Sequence, residues 1–492
     1  MSQETNSSTP TAGSAVEQYD LITIGMGPAG MAVSAMGAAM GLKVAGIEKH
    51  KIGGECMNVG CIPSKSLLRL AKKRYTADAV LRQLDAGAAF PPVREWGAPF
   101  AKVRNYVDFI GEKKTLGMFE KVHLVVGQGA ARFIGRQTVQ VGDRILKGRR
   151  IFLCAGTKPE LPDVPGLAEA NPLTNETMFA LDAIPSSLVI LGGGAIAVEM
   201  AQAFARLGSA VTMIFRGERL MRRVIGPEAT EILEQKLTAE GVRLLRETQV
   251  REVISENGRH RLILDKGEPL EAERILAALG RRFVLNEMGL EAAGIQWDHR
   301  TGVKVDRYLR TTNRKVYAVG DVNGYAQFSH AAMHQGMIGL MNTMMPWPMR
   351  MDFRKFVVPW TVFTEPQVSH VGPWEEELKA KGVRYEKITV RYGDYGAAIA
   401  EEVPEGFLTV YTNPAGRVYA VTIVGEGSGN MINEWALVVQ KKIRLSSVMF
   451  LQHSFPTMGF LSKRVAETWM MKRMENATLR GMASRMFRLL NH

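Results

Sequence analysis

Gly53-Gly54-Glu55-Cys56-Met57-Asn58-Val59-Gly60-Cys61-Ile62-Pro63-Ser64-Lys65 sets two cysteines five positions apart, shortly after a strand-like run that ends in an acidic residue. If the segment opens a helix at Cys56, Cys61 follows a little over one turn later, close enough for a strained and reducible disulfide. A helix N-terminus also stabilises a thiolate. A metal site needs more ligands than two thiolates. The third cysteine, Cys154, lies in the apolar run Ile151-Phe152-Leu153-Cys154-Ala155 and reads as a buried structural thiol. The pair therefore reads as a redox-active centre.

Upstream, residues 20–24 form a short apolar strand, followed by Gly25-Met26-Gly27-Pro28-Ala29-Gly30 and a small-residue helix over 31–41. Strand, glycines and helix in that order make a dinucleotide-binding βαβ unit. Gly25 permits the tight turn, Gly27 lets backbone N–H groups approach a pyrophosphate, and Gly30 allows the helix to pack close to the strand. Glu48 ends the next strand, 43–47, where a carboxylate accepts hydrogen bonds from a ribose.

The pattern repeats. Residues 187–191 are a strand, Gly192-Gly193-Gly194-Ala195-Ile196-Ala197 the turn, and 198–207 the helix. The second strand of this unit, 210–214, ends in Phe215-Arg216 where an acidic residue would suit an unphosphorylated ribose. Arg216, helped by Arg219, Arg222 and Arg223, instead suits a 2′-phosphate, which favours NADPH with NADH as the alternative. A third signature, the strand-like run that precedes Gly320-Asp321, places Asp321 to hydrogen-bond the hydroxyls of a flavin ribityl chain.

The 492 residues with 46% apolar content bury large cores and suggest about three domains. Three cysteines exclude a disulfide-stapled secreted scaffold, and no charge-free apolar run of membrane-spanning length occurs. The first nineteen residues read as a disordered polar lead rather than a signal peptide, in keeping with a cytoplasmic enzyme.

With these motifs in order from about residue 19 to 472, the chain resembles the flavoprotein disulfide reductases with two dinucleotide-binding domains, the family of dihydrolipoamide dehydrogenase, glutathione reductase and mercuric reductase. The stretch Glu199-Met200-Ala201-Gln202-Ala203-Phe204-Ala205-Arg206-Leu207-Gly208-Ser209, and Arg216 beyond it, are most similar to the mercuric reductase branch. The resemblance implies an α/β fold: two Rossmann-like dinucleotide-binding domains, for FAD and NAD(P), plus an α+β C-terminal dimerisation domain. The expected division is a lead over 1–19, FAD-binding parts at 20–157 and 279–355, the NAD(P) domain at 158–278, the interface domain at 356–476 and a tail at 477–492.

Residue by residue, the resemblance implies FAD held through Gly25, Gly27, Gly30, Glu48 and Asp321, and a nicotinamide cofactor held through Gly192, Gly194 and Arg216. It adds cofactor-binding positions at Gly54, Ala131, Gly156, Ala197, Gly280, Gly320 and Ser329. Cys61 would be the thiolate against the isoalloxazine and Cys56 the thiol that attacks the acceptor. Lys65, paired with Glu199, would stabilise the reduced flavin electrostatically. Ala195 stands where glutathione reductase has an aromatic gate, so a less gated nicotinamide pocket is expected. A homodimer follows, because in this family each active site borrows C-terminal residues from its partner.

The departure lies in that borrowed segment. Disulfide reductases carry His-Pro-Thr with a Glu three residues after the Thr, as acid and base; this chain reads Phe455-Pro456-Thr457-Met458-Gly459-Phe460. A general acid or base contributes roughly 10²–10⁴-fold, and cleaving a small disulfide needs one. A metal ion or quinone is therefore the expected electron acceptor, with a protein or small disulfide as the rival. His453 could substitute only if its loop turned it inward, whereas strand-like alternation would put it on the side of Phe455. The further C-terminal cysteine pair of mercuric reductases is absent, and His330 and His334 read as packing residues rather than soft ligands, so no resident metal site is expected.

From Ser462 to His492, seven Lys/Arg stand against Glu467 and Glu475, a local balance of +5 in a chain of net charge +13. Met470, Met474, Met482, Met486 and Leu490 recur at multiples of four, which predicts a basic amphipathic helix, or two broken near Gly481. Its first half is expected to pack at the dimer interface. The part beyond residue 476 suits an anionic membrane surface or an acidic protein partner, which would place the enzyme at the inner face of a membrane or make it a docked electron-transfer subunit. Nothing points to nucleic acid beyond charge.

Overall fold

The computed structural model describes residues 15–85, 98–222 and 224–491. Most of the expected lead, and Arg223, lie outside the described residues. The first strand, Glu17–Ile24, starts earlier than expected, so residues 17–19 belong to the sheet rather than to the lead. Its run Leu21-Ile22-Thr23-Ile24 is wholly buried, as a parallel strand covered on both faces must be.

That strand lies between Val44–Glu48 and Arg144–Leu153, parallel to both, with Leu21 paired to Val44 on one side and Arg150 on the other. His123–Val126 extends the sheet beyond Val44–Glu48, and Val316–Ala318 pairs with the end of Arg144–Leu153. Helix α1 (Pro28–Ala39) covers this sheet, and α2 (Gly54–Asn58), α3 (Cys61–Leu84) and α4 (Ala98–Ile110) follow in the chain.

A second parallel sheet orders Arg243–Leu245, Ala210–Ile214, Ser187–Leu191 and Arg274–Ala277, with α5 (Ala195–Arg206) and α6 (Pro227–Ala239). Helix α7 (Ser329–Met344) returns to the first sheet and packs on α1. The C-terminal part is a five-stranded antiparallel sheet, Trp360–Val362 to Val368–Val371 to Val418–Val424 to Phe407–Thr412 to Glu386–Arg391. With it go the short helices α8 (Glu375–Ala380) and α9 (Gly396–Ala400), then α10 (Ser428–Gln440), α11 (Leu445–Phe450), α12 (Leu461–Met474) and α13 (Ala477–Leu490). The expected α/β architecture with two Rossmann-like units and an α+β C-terminal domain is the one observed.

Helix α3 fixes the centre of the molecule. Leu67 and Ala71 on it share one core with Phe204 of α5 and with Val362 and Val424 of the C-terminal sheet. Cys61 at its start, with Cys56 on the short helix just before it, is thereby held at the meeting point of all three units.

Candidate active site

Beside the first glycine turn lies a cavity of ≈ 790 Å³, whose wall includes Gly25, Gly27, Glu48, Gly156, Asp321 and both cysteines. Gly25 has φ +94°, and a Cβ on it would come within 2.5 Å of the Cys154 carbonyl oxygen. A Cβ on Gly30 would lie 1.9 Å from Gly25 O, so Gly30 serves helix-to-strand packing and does not reach the cavity. At Gly27 the nearest atom to such a Cβ is Gly54 Cα at 3.9 Å, which leaves the approach to the α1 N-terminus open. Glu48, nine-tenths buried, accepts from Met26 N at 2.8 Å and His50 N at 2.9 Å. Burial pushes the Asp321 carboxyl up to about 6, against the pull of Arg281. Gly54, Ala131, Gly320 and Ser329 also stand in the wall.

The two cysteines do not share one helix. Cys56 lies in α2 and Cys61 is the first residue of α3, the chain breaking at Val59-Gly60. A Cβ on Gly60 would meet Glu55 O at 2.8 Å, so glycine is what lets the chain fold back this tightly. The expected single helix is thus corrected to two, and Cys61 gains a helix N-terminus of its own. Both thiols are free. Hydrogen bonding from Cys56, then from the Ser329 hydroxyl, and the charge of Lys65 bring Cys61 down to about 6 against the opposing effect of burial. Its Sγ lies 3.2 Å from Ser329 Oγ. The Cys56 thiol is pushed up, by its bond to Cys61 and by burial. One sulfur is poised as a thiolate and the other as its proton-bearing neighbour.

One turn along α3, Lys65 Nζ lies 2.9 Å from Glu199 Oε2 and 3.2 Å from Oε1. Glu199 is buried on α5 and also accepts from Phe363 N at 2.9 Å, while the ammonium sits 4.6 Å from the Phe363 ring centre. Three residues on, Gln202 exchanges two 2.8 Å hydrogen bonds with the Glu365 backbone. A turn further, Arg206 bridges Glu240 and Glu365. A single face of α5 therefore grips both α3 and the segment after Trp360–Val362.

Sequence reasoning missed Phe363, Thr157 and the Arg281–Glu55 ion pair in this site. Arg281 also donates to Thr157 Oγ1 at 2.6 Å, and Glu55 Oε1 is buried with no partner among the described residues. Glu55 was legible only as a neighbour of Cys56, and Arg281 carries no motif. A cavity of this size, glycine-lined at a helix N-terminus, with Glu48, Asp321 and an orphaned carboxylate oxygen in its wall, fits a dinucleotide such as FAD.

The glycines of the second turn do not line this cavity, although Ile196 of the same turn does. Gly192 has φ +124° and closely faces Ala278 O, while the Cβ direction at Gly194 is open. Ala197 is fully buried in the core and serves packing, as Gly30 does. Gly280, at φ +134°, sits where the chain leaves the second sheet. Arg216 and Arg222 are exposed beyond Ala210–Ile214 and make no hydrogen bond or ion pair among the described residues. Arg219 is committed to the loop, donating to Ile225 O at 2.8 Å and Thr230 Oγ1 at 3.1 Å.

In the C-terminal loop Phe455 is 72% exposed and its ring meets Phe460 edge-on. His453 does not share its side: it turns into its own subunit, Nε2 lying 3.1 Å from Glu434 Oε1 on α10, with Nδ1 buried and without a partner among the described residues. The alternation expected here fails because residues 451–457 are not a strand. His330 and His334 ring-pack with Phe328 and Phe356, and no group of three metal-ligating side chains occurs among the described residues.

The chain belongs to the pyridine nucleotide-disulphide oxidoreductases, whose model matches residues 19–336 and whose dimerisation domain matches residues 358–463. The family is FAD-dependent and uses a pyridine nucleotide, and the dimerisation domain supports a homodimer. The mercuric reductase of Bacillus cereus is 30% identical over 435 residues, 86% of this chain and 67% of that protein. The mercuric reductase of Acidithiobacillus ferrooxidans is 30% identical over 464 residues, 92% and 83%. The dihydrolipoyl dehydrogenase of Mycoplasma pneumoniae is 29% identical over 435 residues, 86% and 92%. In structure, the Cu(II) complex of the HOCl-induced flavoprotein disulfide reductase RclA from Escherichia coli superposes with a TM-score of 0.82 at 24% identity, covering 92% of this chain and all of that one.

Proposed function

We propose that the protein is an NADPH-dependent flavoenzyme that passes electrons through Cys56 and Cys61 to an acceptor other than a small disulfide, a metal ion or a quinone. The observation that carries this reading is the pair Phe455 and Phe460, which stand where the family's proton donor and its orienting carboxylate would be.

FAD, when bound, would take hydride from the nicotinamide and deliver two electrons to the Cys56–Cys61 disulfide. The α1 N-terminus with Gly27 would hold its pyrophosphate, Glu48 its ribose and Asp321 its ribityl chain. Lys65, oriented by Glu199, would place positive charge beside the reacting region. The depressed Cys61 thiol favours the thiolate on arrival of the electrons, while Cys56 keeps its proton. In the second half-reaction the thiol and thiolate close to the disulfide, releasing two electrons and the Cys56 proton. A metal ion takes the electrons without a proton, and a quinone's oxygens are protonated from water. A small disulfide must instead expel a thiolate, which an acid next to it accelerates. Phenylalanine supplies none.

Exposed and unpaired Arg216 supports NADPH over NADH, through a charge-assisted bond to the 2′-phosphate. The His453–Glu434 pair favours a second reading, a disulfide reductase with its acid displaced by two positions. Reoxidation of the NADPH-reduced enzyme by metal ions, a quinone and small disulfides separates the two.

A further inference from the structure

Helix α13 (Ala477–Leu490) has no buried residue. The break before it falls at Glu475-Asn476 rather than near the expected Gly481, because the Asn476 side chain accepts from Thr478 N at 3.0 Å and Leu479 N at 3.2 Å and starts a new helix. Leu479, Met482, Met486, Phe487, Leu489 and Leu490 recur at three- and four-residue spacing on one side and are each between 40% and 76% exposed. Arg480 and Arg485 border that stripe on its two edges and Arg488 lies opposite it. The helix holds no acidic residue.

We propose that α13 is a membrane-surface anchor that lies in the plane of an anionic lipid bilayer, its methionine and leucine face among the acyl chains and its arginines on the phosphates. Two observations select this occupant. Every ionisable side chain on the helix is an arginine, which is complementary to an anionic surface and disfavours pairing of this helix with the same helix of a second copy. The apolar stripe spans the whole helix, and a basic helix with such a stripe and modest overall hydrophobicity binds in the interface plane. No helix among the described residues is long and apolar enough to cross a membrane. The family's dimerisation model ends at residue 463, so α13 lies outside the matched region. The inference is independent of the identity of the electron acceptor.

The experiment uses the FAD-loaded full chain with vesicles of phosphatidylglycerol and phosphatidylcholine, and with phosphatidylcholine alone, in flotation assays at low and high salt. Three proteins are compared: the full chain, the chain lacking residues 477–492, and the R480E/R485E/R488E variant, whose substitutions on exposed positions leave the fold intact. The full chain floats with the anionic vesicles only, less at high salt, and the arginine variant binds about a hundredfold more weakly. Oxidation of NADPH with a soluble acceptor stays the same in all three. The proposal is overturned if the full chain does not float with anionic vesicles, or if the truncated chain and the arginine variant float as well as it does. Failure to float together with dissociation of the truncated protein into monomers would assign the stripe to a second copy instead.

Discussion

The rings of Phe455 and Phe460 meet edge-on, 5.3 Å between centroids at 76°, and Phe460 also stacks on Tyr395 at 6.1 Å. The positions that a disulfide reductase would give to an acid and its orienting carboxylate are joined here into one apolar contact. Putting the missing pair back tests this directly. The Phe455→His/Phe460→Glu variant should gain small-disulfide reduction by roughly 10²-fold or more, with each single substitution gaining far less, in steady-state assays with lipoamide and glutathione disulfide.

Cys61, lowered to about 6, should be mostly thiolate at neutral pH. Its thiolate fraction falls as pH falls through about 6, so ultraviolet thiolate absorbance and alkylation rate of the reduced protein should share that midpoint. Ser329→Ala removes the hydroxyl 3.2 Å from the sulfur and should move the midpoint upward, by about half to one pH unit. An unchanged midpoint would separate Ser329 from the thiolate.

Arg216→Ala should raise KM for NADPH by roughly 10- to 100-fold, the worth of one charge-assisted hydrogen bond, and leave KM for NADH nearly unchanged. Equal losses with both nucleotides would contradict recognition of a 2′-phosphate. Arg222→Ala, as the neighbouring exposed arginine, reports whether the charge is shared.

Arg206 is buried between Glu240 and Glu365. Arg206→Met removes the guanidinium that Glu240 and Glu365 share and leaves Glu240 with only Lys236 at 4.0 Å while Lys72 still pairs with Glu365, which should cost about 3 kcal/mol and lower Tm in thermal unfolding. The Arg206→Met/Glu240→Leu/Glu365→Gln variant should recover much of that loss, because the unpaired charges are what destabilise the single variant.

The glycine turns, the strands they follow, Glu48 and Asp321 were readable because their signals are local: a strand, a glycine and a helix within one βαβ unit. Contacts that close the site are not local. Lys65 and Glu199 are 134 residues apart, and Arg281 and Glu55 are 226 apart. The first pair was accessible only through the family resemblance, and the second had no sequence signal. The cysteine spacing correctly brought the two thiols together, but a single helix through both fails because Gly60 packs against Glu55 O and the helix restarts at Cys61. His453 misled because period-two alternation holds within strands only, and its position is set by Glu434 on another helix.

The most direct test of the central claim is anaerobic: reduce the enzyme with NADPH, then follow reoxidation by lipoamide, glutathione disulfide, Hg(II), Cu(II) and a soluble quinone. The account predicts fast reoxidation by a metal ion or the quinone and slow reoxidation by both disulfides. Fast reoxidation by a small disulfide would contradict it and point to His453 and Glu434 as the proton source of an ordinary disulfide reductase.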